Sequence, residues 1–131
     1  MLSSLISFVS YEDVLVIHDE IVIAIYGGKS GIRYQSSLEA CVERPKQYHF
    51  YEGYEIPEIA AVYMFGINDG HVFTDGNKRT SLLVSELFLR INGYQLTASS
   101  EELEDIALRI ADNKSSLDEC CKFMRKYALS L

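Results

Sequence analysis

Residues 77–92 place apolar side chains around most of a helical circumference: Leu82, Leu83, Val84, Leu87, Phe88, Leu89 and Ile91 leave no broad polar face. A helix that is apolar on most sides is stable only when other elements wrap it. The sequence therefore predicts a domain assembled around this helix, buried at the centre, with Gly93 closing it as a left-handed cap.

The flanking segments supply the wrapping. Ser10 caps a first helix in which Val14, Ile17, Ile21 and Ile25 recur at helical spacing, and Gly27-Gly28 stop it. Residues 29–33 contain Gly31 and no periodicity, which predicts a loop. Ser36 or Ser37 starts a short helix that should end before Pro45, because the residue preceding a proline disfavours helical geometry. Residues 46–56, with Tyr48, Phe50, Tyr51, Gly53 and Tyr54, read as a loop or short hairpin whose aromatics form a lid on the core or a surface for a target peptide. Pro57 suits a first helical turn, followed by Ala60, Ala61, Met64 and Ile67 on one face and an end near Asn68-Asp69-Gly70.

Beyond Gly93, residues 94–97 are the one extended piece expected. Ser99-x-x-Glu102 is a capping box opening a helix with Leu103, Ile106, Ala107 and Ile110 inward, and a final helix carries Leu117, Cys120, Cys121, Met124 and Ala128. The class is all-α, with about six helices and at most a short hairpin, in one domain spanning 1–131.

Nineteen acidic against twelve basic residues give a net charge of −7, a field that repels polyanions and excludes a general nucleic-acid binder. A small anion needs a local positive spot. The three cysteines have no metal-ligand spacing and read as buried small hydrophobes in a reducing cytoplasm. Residues 1–10 lack a basic leader and a sustained apolar run, so no signal peptide and no membrane span are expected.

That positive spot is the polar break His71-Val72-Phe73-Thr74-Asp75-Gly76-Asn77-Lys78-Arg79-Thr80. A helix starting near Asn77 directs unpaired amides and its positive dipole end at the preceding loop, where phosphate is the natural guest. Gly76 permits close backbone approach, and Lys78 and Arg79 add cations. Asp75 would repel such a ligand unless it holds a Mg²⁺ ion bridging phosphate oxygens. His71 can take a proton from an attacking hydroxyl. Phe73 anchors the loop in the core, keeping His71 and Asp75 on the phosphate side.

His-x-Phe-x-Asp-Gly-Asn-Lys-Arg, residues 71–79, fixes seven positions and resembles the signature of the Fic/Doc family. Fic enzymes that transfer AMP carry His-Pro-Phe-x-[Asp/Glu]-Gly-Asn-Gly-Arg. Doc-type (death on curing) toxins lack the proline and have a lysine near the end, as in Val72 and Lys78-Arg79-Thr80. The likeness extends upstream through Ile17-His18-Asp19, Tyr26-Gly27-Gly28, Gly31-Ile32-Arg33 and Leu38-Glu39 to Arg44-Pro45, covering residues 10–128, with His18, Arg33 and Arg44 in mainly structural roles.

The resemblance implies a compact helical fold and transfer from ATP with Mg²⁺ to a Ser or Thr hydroxyl of a protein. His71 would be the base, Asp75 the metal holder, and Gly76, Asn77, Lys78 and Arg79 the phosphate binders. It also implies a separate small antitoxin and, at family level, a target in the translation machinery. The motif is a hybrid, since Gly76 is the Fic choice and Lys78 the Doc choice. Lys78 narrows the room for inner phosphates and favours phosphate transfer. Gly76 keeps AMP transfer as the alternative, and an inactive nucleotide- or partner-binding module is the reading from another class. The nearest match to the inhibitory Ser/Thr-x-x-x-Glu-Gly/Asn helix of Fic enzymes, Ser115-x-x-x-Glu119-Cys120, ends in the wrong residue and reads as helix-start chemistry.

Overall fold

The computed structural model describes residues 5–131; the first four residues of the stretch in which no signal peptide was expected lie outside them. Helix α1 runs over Tyr11–Val16, continues through a π-helical segment Ile17–Ile23 and ends in the turn Ala24–Tyr26. Helices α2 (Gln35–Glu52), α3 (Ile56–Asp69) and α4 (Asn77–Ile91) follow. After strand β1 (Tyr94–Leu96) come α5 (Ser100–Ala111), α6 (Leu117–Tyr127) and strand β2 (Ala128–Ser130). The fold is all-α, with β1 and β2 paired antiparallel, Tyr94 opposite Ser130. The extended piece at 94–97 is present; its partner β2 was not expected.

The local rules hold at most helix starts. Ser10 and Asp13 close a capping box on α1, and Ser99 and Glu102 close another on α5. Gly27 and Gly28 have φ of 82° and 106° and stop the first helix as expected.

Three expectations are corrected. First, α2 does not end before Pro45 but carries it, buried, in mid-helix and continues to Glu52. Proline removes one backbone bond there, and its burial against the core offsets that loss. Residues 46–52 are therefore helix, ended by Gly53 at φ 70°. Tyr48 and Tyr54 pack on each other with centroids 4.7 Å apart, whereas Phe50 and Tyr51 project into solvent.

Second, the stripe of α1 breaks. Val14 and Ile17 are buried, but Ile21 and Ile25 are exposed, and His18 and Val22 are buried in their place. The π-helical turn takes more residues per revolution than an α turn, so the inward face changes register.

Third, the central helix is α3, not the 77–92 segment. Ile59 through Met64, with Ile67 and Asn68, are all buried, and α2, α4, α5 and α6 pack around them. Ala60, Ala61 and Gly66 allow that approach: a methyl at Gly66 would lie 3.5 Å from Cys41 Sγ. The inner face of α4 is instead Thr80, Ser81, Val84, Ser85, Phe88 and Leu89. The Ser81 and Ser85 hydroxyls donate to the carbonyls of Lys78 and Leu82 within their own helix, which lets two polar residues face the core. Leu82, Leu83 and Leu87 are left at the core margin.

The cysteines are free and buried as expected, and burial pushes the Cys41 thiol up to about 11 and that of Cys120 up to about 12. Among the described residues no helix is long and apolar enough to cross a membrane.

Candidate active site

The loop between α3 and α4 is set by its backbone. His71 adopts φ 46°, a left-handed conformation, and its N–H donates to Asn68 C=O at 3.3 Å. The turn leaves the imidazole exposed while Val72 and Phe73 are buried completely. The segment after Gly28 then pairs with the loop. Arg33 and Tyr34 N–H donate to Val72 C=O at 2.7 and 3.2 Å, and Thr74 N–H donates to Gly31 C=O at 3.1 Å. Ile32 and Phe73 form an antiparallel bridge. Arg33 thus contributes through its backbone.

Phe73 is fully buried beneath the loop. Its ring stacks on His18 with centroids 3.7 Å apart and planes 7° from parallel. Its backbone is gripped by Asn77, whose Oδ1 accepts from Phe73 N–H at 3.0 Å while Nδ2 donates to Phe73 C=O at 2.9 Å. The side chain of Asn77 therefore holds the loop, and what Asn77 turns toward a ligand is its main chain.

Asp75 is exposed, and among the described residues only its Oδ2 is hydrogen-bonded, accepting from Lys29 N–H at 2.7 Å. The carbonyl of Asp75 accepts from Nε2 of His18 at 2.7 Å. Gly76, at φ 83°, forms the helix N-cap, and a Cβ there would stand 2.9 Å from Val22 Cγ1. The first helical bond of α4 is Thr80 N–H to Gly76 C=O at 2.9 Å. The N–H groups of Asn77, Lys78 and Arg79 precede it and have no acceptor within the helix, which makes an anion-binding end.

That end opens into a cleft of about 640 Å³ bordered by residues 76–79, by Tyr26, and by the facing sides of α4 and α5, including Leu82, Leu83, Leu103 and Ala107. The volume suits a nucleotide-sized ligand. The Arg79 guanidinium lies 4.1 Å over the Tyr26 ring at its rim. Lys78 is exposed beside it. The structure thus gathers Gly76, Asn77, Lys78 and Arg79 on one cleft, with Asp75 adjoining them in the chain. His71 and Asp75 stand outside its lining, on the loop that leads into it.

No group of three or more His, Cys, Asp or Glu side chains able to cage a metal occurs among the described residues. Asp75 with one open oxygen fits an ion held by a single carboxylate, phosphate oxygens and water, the usual arrangement for Mg²⁺. Toward the other end of the chain, α6 is capped by Ser116, not Ser115, and Glu119 pairs with Arg109 at 3.2 Å. Those contacts support the helix-start reading of that segment.

Sequence reasoning missed Tyr26 and Lys29 and treated His18 as structural alone. The signal for His18 was a histidine directly beside Ile17 of the apolar stripe; nothing local marked the other two.

Comparison with known proteins points to one family. The model of the "Fic/DOC family" matches residues 8–89. The "Protein kinase doc" of Escherichia phage P1 is 34% identical over 119 residues, covering 90% of this chain and 93% of that protein. The "Toxin Doc" of Mycolicibacterium smegmatis is 32% identical over 108 residues, covering 79% and 82%.

Proposed function

This chain belongs to the Fic/DOC family, and on that premise we propose that it is a toxin-like transferase that moves the γ-phosphate of ATP to a Ser or Thr hydroxyl of a cellular protein. The observation that carries this reading is the start of α4: three helix-end amides with Lys78 and Arg79 open on a nucleotide-sized cleft, directly after the loop bearing His71 and Asp75. There, in an acidic chain, backbone and side chains together favour a polyphosphate.

The imidazole of His71 accepts the hydroxyl proton as the oxygen attacks the γ-phosphorus; the bond to the β,γ-bridging oxygen breaks and ADP leaves. The amides of residues 77–79 and the Lys78 and Arg79 cations hold the phosphates and offset the charge that accumulates on them. Asp75, whose Oδ1 is left open, would hold Mg²⁺, and the ion would supply positive charge that offsets the charge of the phosphates. The Phe73–Asn77 bracket fixes the loop, which suits a reaction that depends on positioning more than on covalent help.

Phosphate transfer is preferred to AMP transfer for two reasons. Lys78 puts a bulky cation where Fic enzymes that transfer AMP carry glycine, which would narrow the room for inner phosphates, and Gly76, the feature that suggested AMP transfer, has a packing explanation in its positive φ and its closeness to Val22. The name of the phage relative, a protein kinase, supports the same choice. The name of the second relative, a toxin, suits an activity that a separate small antitoxin would hold in check. Family likeness suggests a protein substrate in the translation machinery, and three unpaired thiols suit a reducing cytoplasm.

The test uses the full chain, a lysate of its host as target, and ATP labelled at the α or the γ phosphate. Label transferred only from the γ position supports the kinase; transfer of α label establishes AMP transfer. Nucleotide binding without transfer of either label leaves the inactive binding module as the better account.

A further inference from the structure

A histidine at position 18 has no reason of composition to be inside the protein. Its neighbours in the helical stripe, Ile21 and Ile25, are 39% and 67% exposed, while His18 is 0% exposed. The π-helical segment Ile17–Ile23 brings about that exchange by turning the inward register from 17, 21 and 25 to 18 and 22. Such turns are rare and are found most often beside functional sites. The result is an imidazole packed flat against Phe73 at 3.7 Å.

Both of its nitrogens have partners. Nδ1 lies 2.7 Å from Oδ1 of Asp19, and Nε2 donates to the carbonyl of Asp75 at 2.7 Å. The ring also closes on the start of α4, since a methyl at Gly76 would lie 3.5 Å from its Cδ2 and Nε2. Asp75 is therefore gripped at two atoms by a region some fifty residues earlier in the chain: its carbonyl by His18, and its carboxylate by Lys29 N–H at 2.7 Å. Holding the carbonyl fixes the peptide plane after Asp75, and so the direction in which Oδ1 leaves the loop.

We propose that His18 is a positioning residue for Asp75, held by Asp19 on one side, and that it aims the carboxylate at the metal–phosphate position while its face seats Phe73. The proposal rests on the reading of Asp75 as a metal holder. A purely structural histidine would stabilise the loop without affecting how tightly metal joins the nucleotide. Groups that orient a metal-binding carboxylate from behind change metal affinity by about 10- to 100-fold when removed.

The variant His18→Phe keeps a flat ring against Phe73 and removes both polar contacts. Two readouts on the full chain test it. Amide exchange followed by NMR reports the hold on Asp75 without any ligand: the Lys29 N–H should exchange several-fold faster, with the amides of α3 unchanged. Calorimetry of ATP binding with Mg²⁺ and with EDTA reports the metal: the Mg²⁺-dependent gain in affinity should fall about tenfold, and the affinity in EDTA should stay within about twofold. A folded His18→Phe variant with Lys29 exchange and Mg²⁺ dependence both unchanged overturns the proposal, as does an equal loss with and without metal. If that variant does not fold, Asp19→Ala, at a half-exposed position, removes the partner of Nδ1 and should move both readouts in the same direction by less. No change in that second variant would also overturn it. If the unaltered protein shows no Mg²⁺-dependent nucleotide binding while Lys29 exchange still responds to residue 18, the proposed function fails and the hold of His18 on Asp75 stands.

Discussion

The side-chain amide of Asn77 holds both backbone groups of Phe73, accepting from the N–H at 3.0 Å and donating to the C=O at 2.9 Å. One residue of α4 thereby locks the loop that precedes it. Replacing Asn77 with Ala removes both bonds beside a fully buried ring and should cost about 1–3 kcal/mol of stability. The urea midpoint measures that cost. An Asn77→Ala protein with an unchanged midpoint would mean that packing of Phe73, not the amide, holds the loop.

Gly76 combines two constraints, a φ of 83° and a would-be methyl 2.9 Å from Val22 Cγ1. Gly76→Ala should destabilise by about 1–2 kcal/mol from the left-handed conformation alone, with the clash added. Making the same change in a Val22→Ala background should relieve the contact and not the φ strain. A double-mutant cycle of denaturation midpoints separates the two, and additive effects would rule out the clash.

The residues just discussed were legible because the motif is contiguous: spacing alone placed Gly76 and Asn77 at a helix start and Phe73 in the core. What escaped lies in long-range or masked signals. Pro45 looked like an end because local preference argues so, and burial against α3 overrode it. The inner face of α4 was hidden because Thr80, Ser81 and Ser85 count as polar in any periodicity, although two of their hydroxyls bond back to their own helix. Leu82 and Leu83, two of the leucines that made α4 look central, border the cleft instead. His18 and Lys29 reach Asp75 across 57 and 46 residues, and no local pattern encodes such pairings.

Tyr26 carries the Arg79 guanidinium over its ring at 4.1 Å. An exposed cation–π contact contributes about 0.5–1 kcal/mol, so Tyr26→Leu should raise the KM for ATP by about two- to fivefold with little change in kcat. Tyr26→Phe, which keeps the ring face, should restore the original value. A Phe variant as impaired as Leu would assign the effect to the tyrosine hydroxyl instead.

Burial raises the Cys41 thiol from 9.0 to about 11. A group whose folded value lies above its unfolded one stabilises below the unfolded value and loses that contribution as pH rises through the folded value. Stability should therefore decline between about pH 9 and 11 through this residue. Cys41→Ala should flatten that part of the pH profile while lowering stability at neutral pH by the cavity it creates. An equally steep alkaline decline in the variant would place the titrating group elsewhere.

His71 offers the sharpest separation of chemistry from folding, because its side chain is exposed while its backbone is in the left-handed region at φ 46°. His71→Ala should lower transfer by about 10²-fold or more if the imidazole is the general base. It should also cost some stability, since alanine tolerates that φ poorly. His71→Gly should be equally inactive yet at least as stable as the alanine variant, because glycine accepts positive φ freely. Transfer rates and thermal melts of the two variants together decide: equal inactivity with unequal stability locates the role in the imidazole. Activity that follows stability would locate it in the turn.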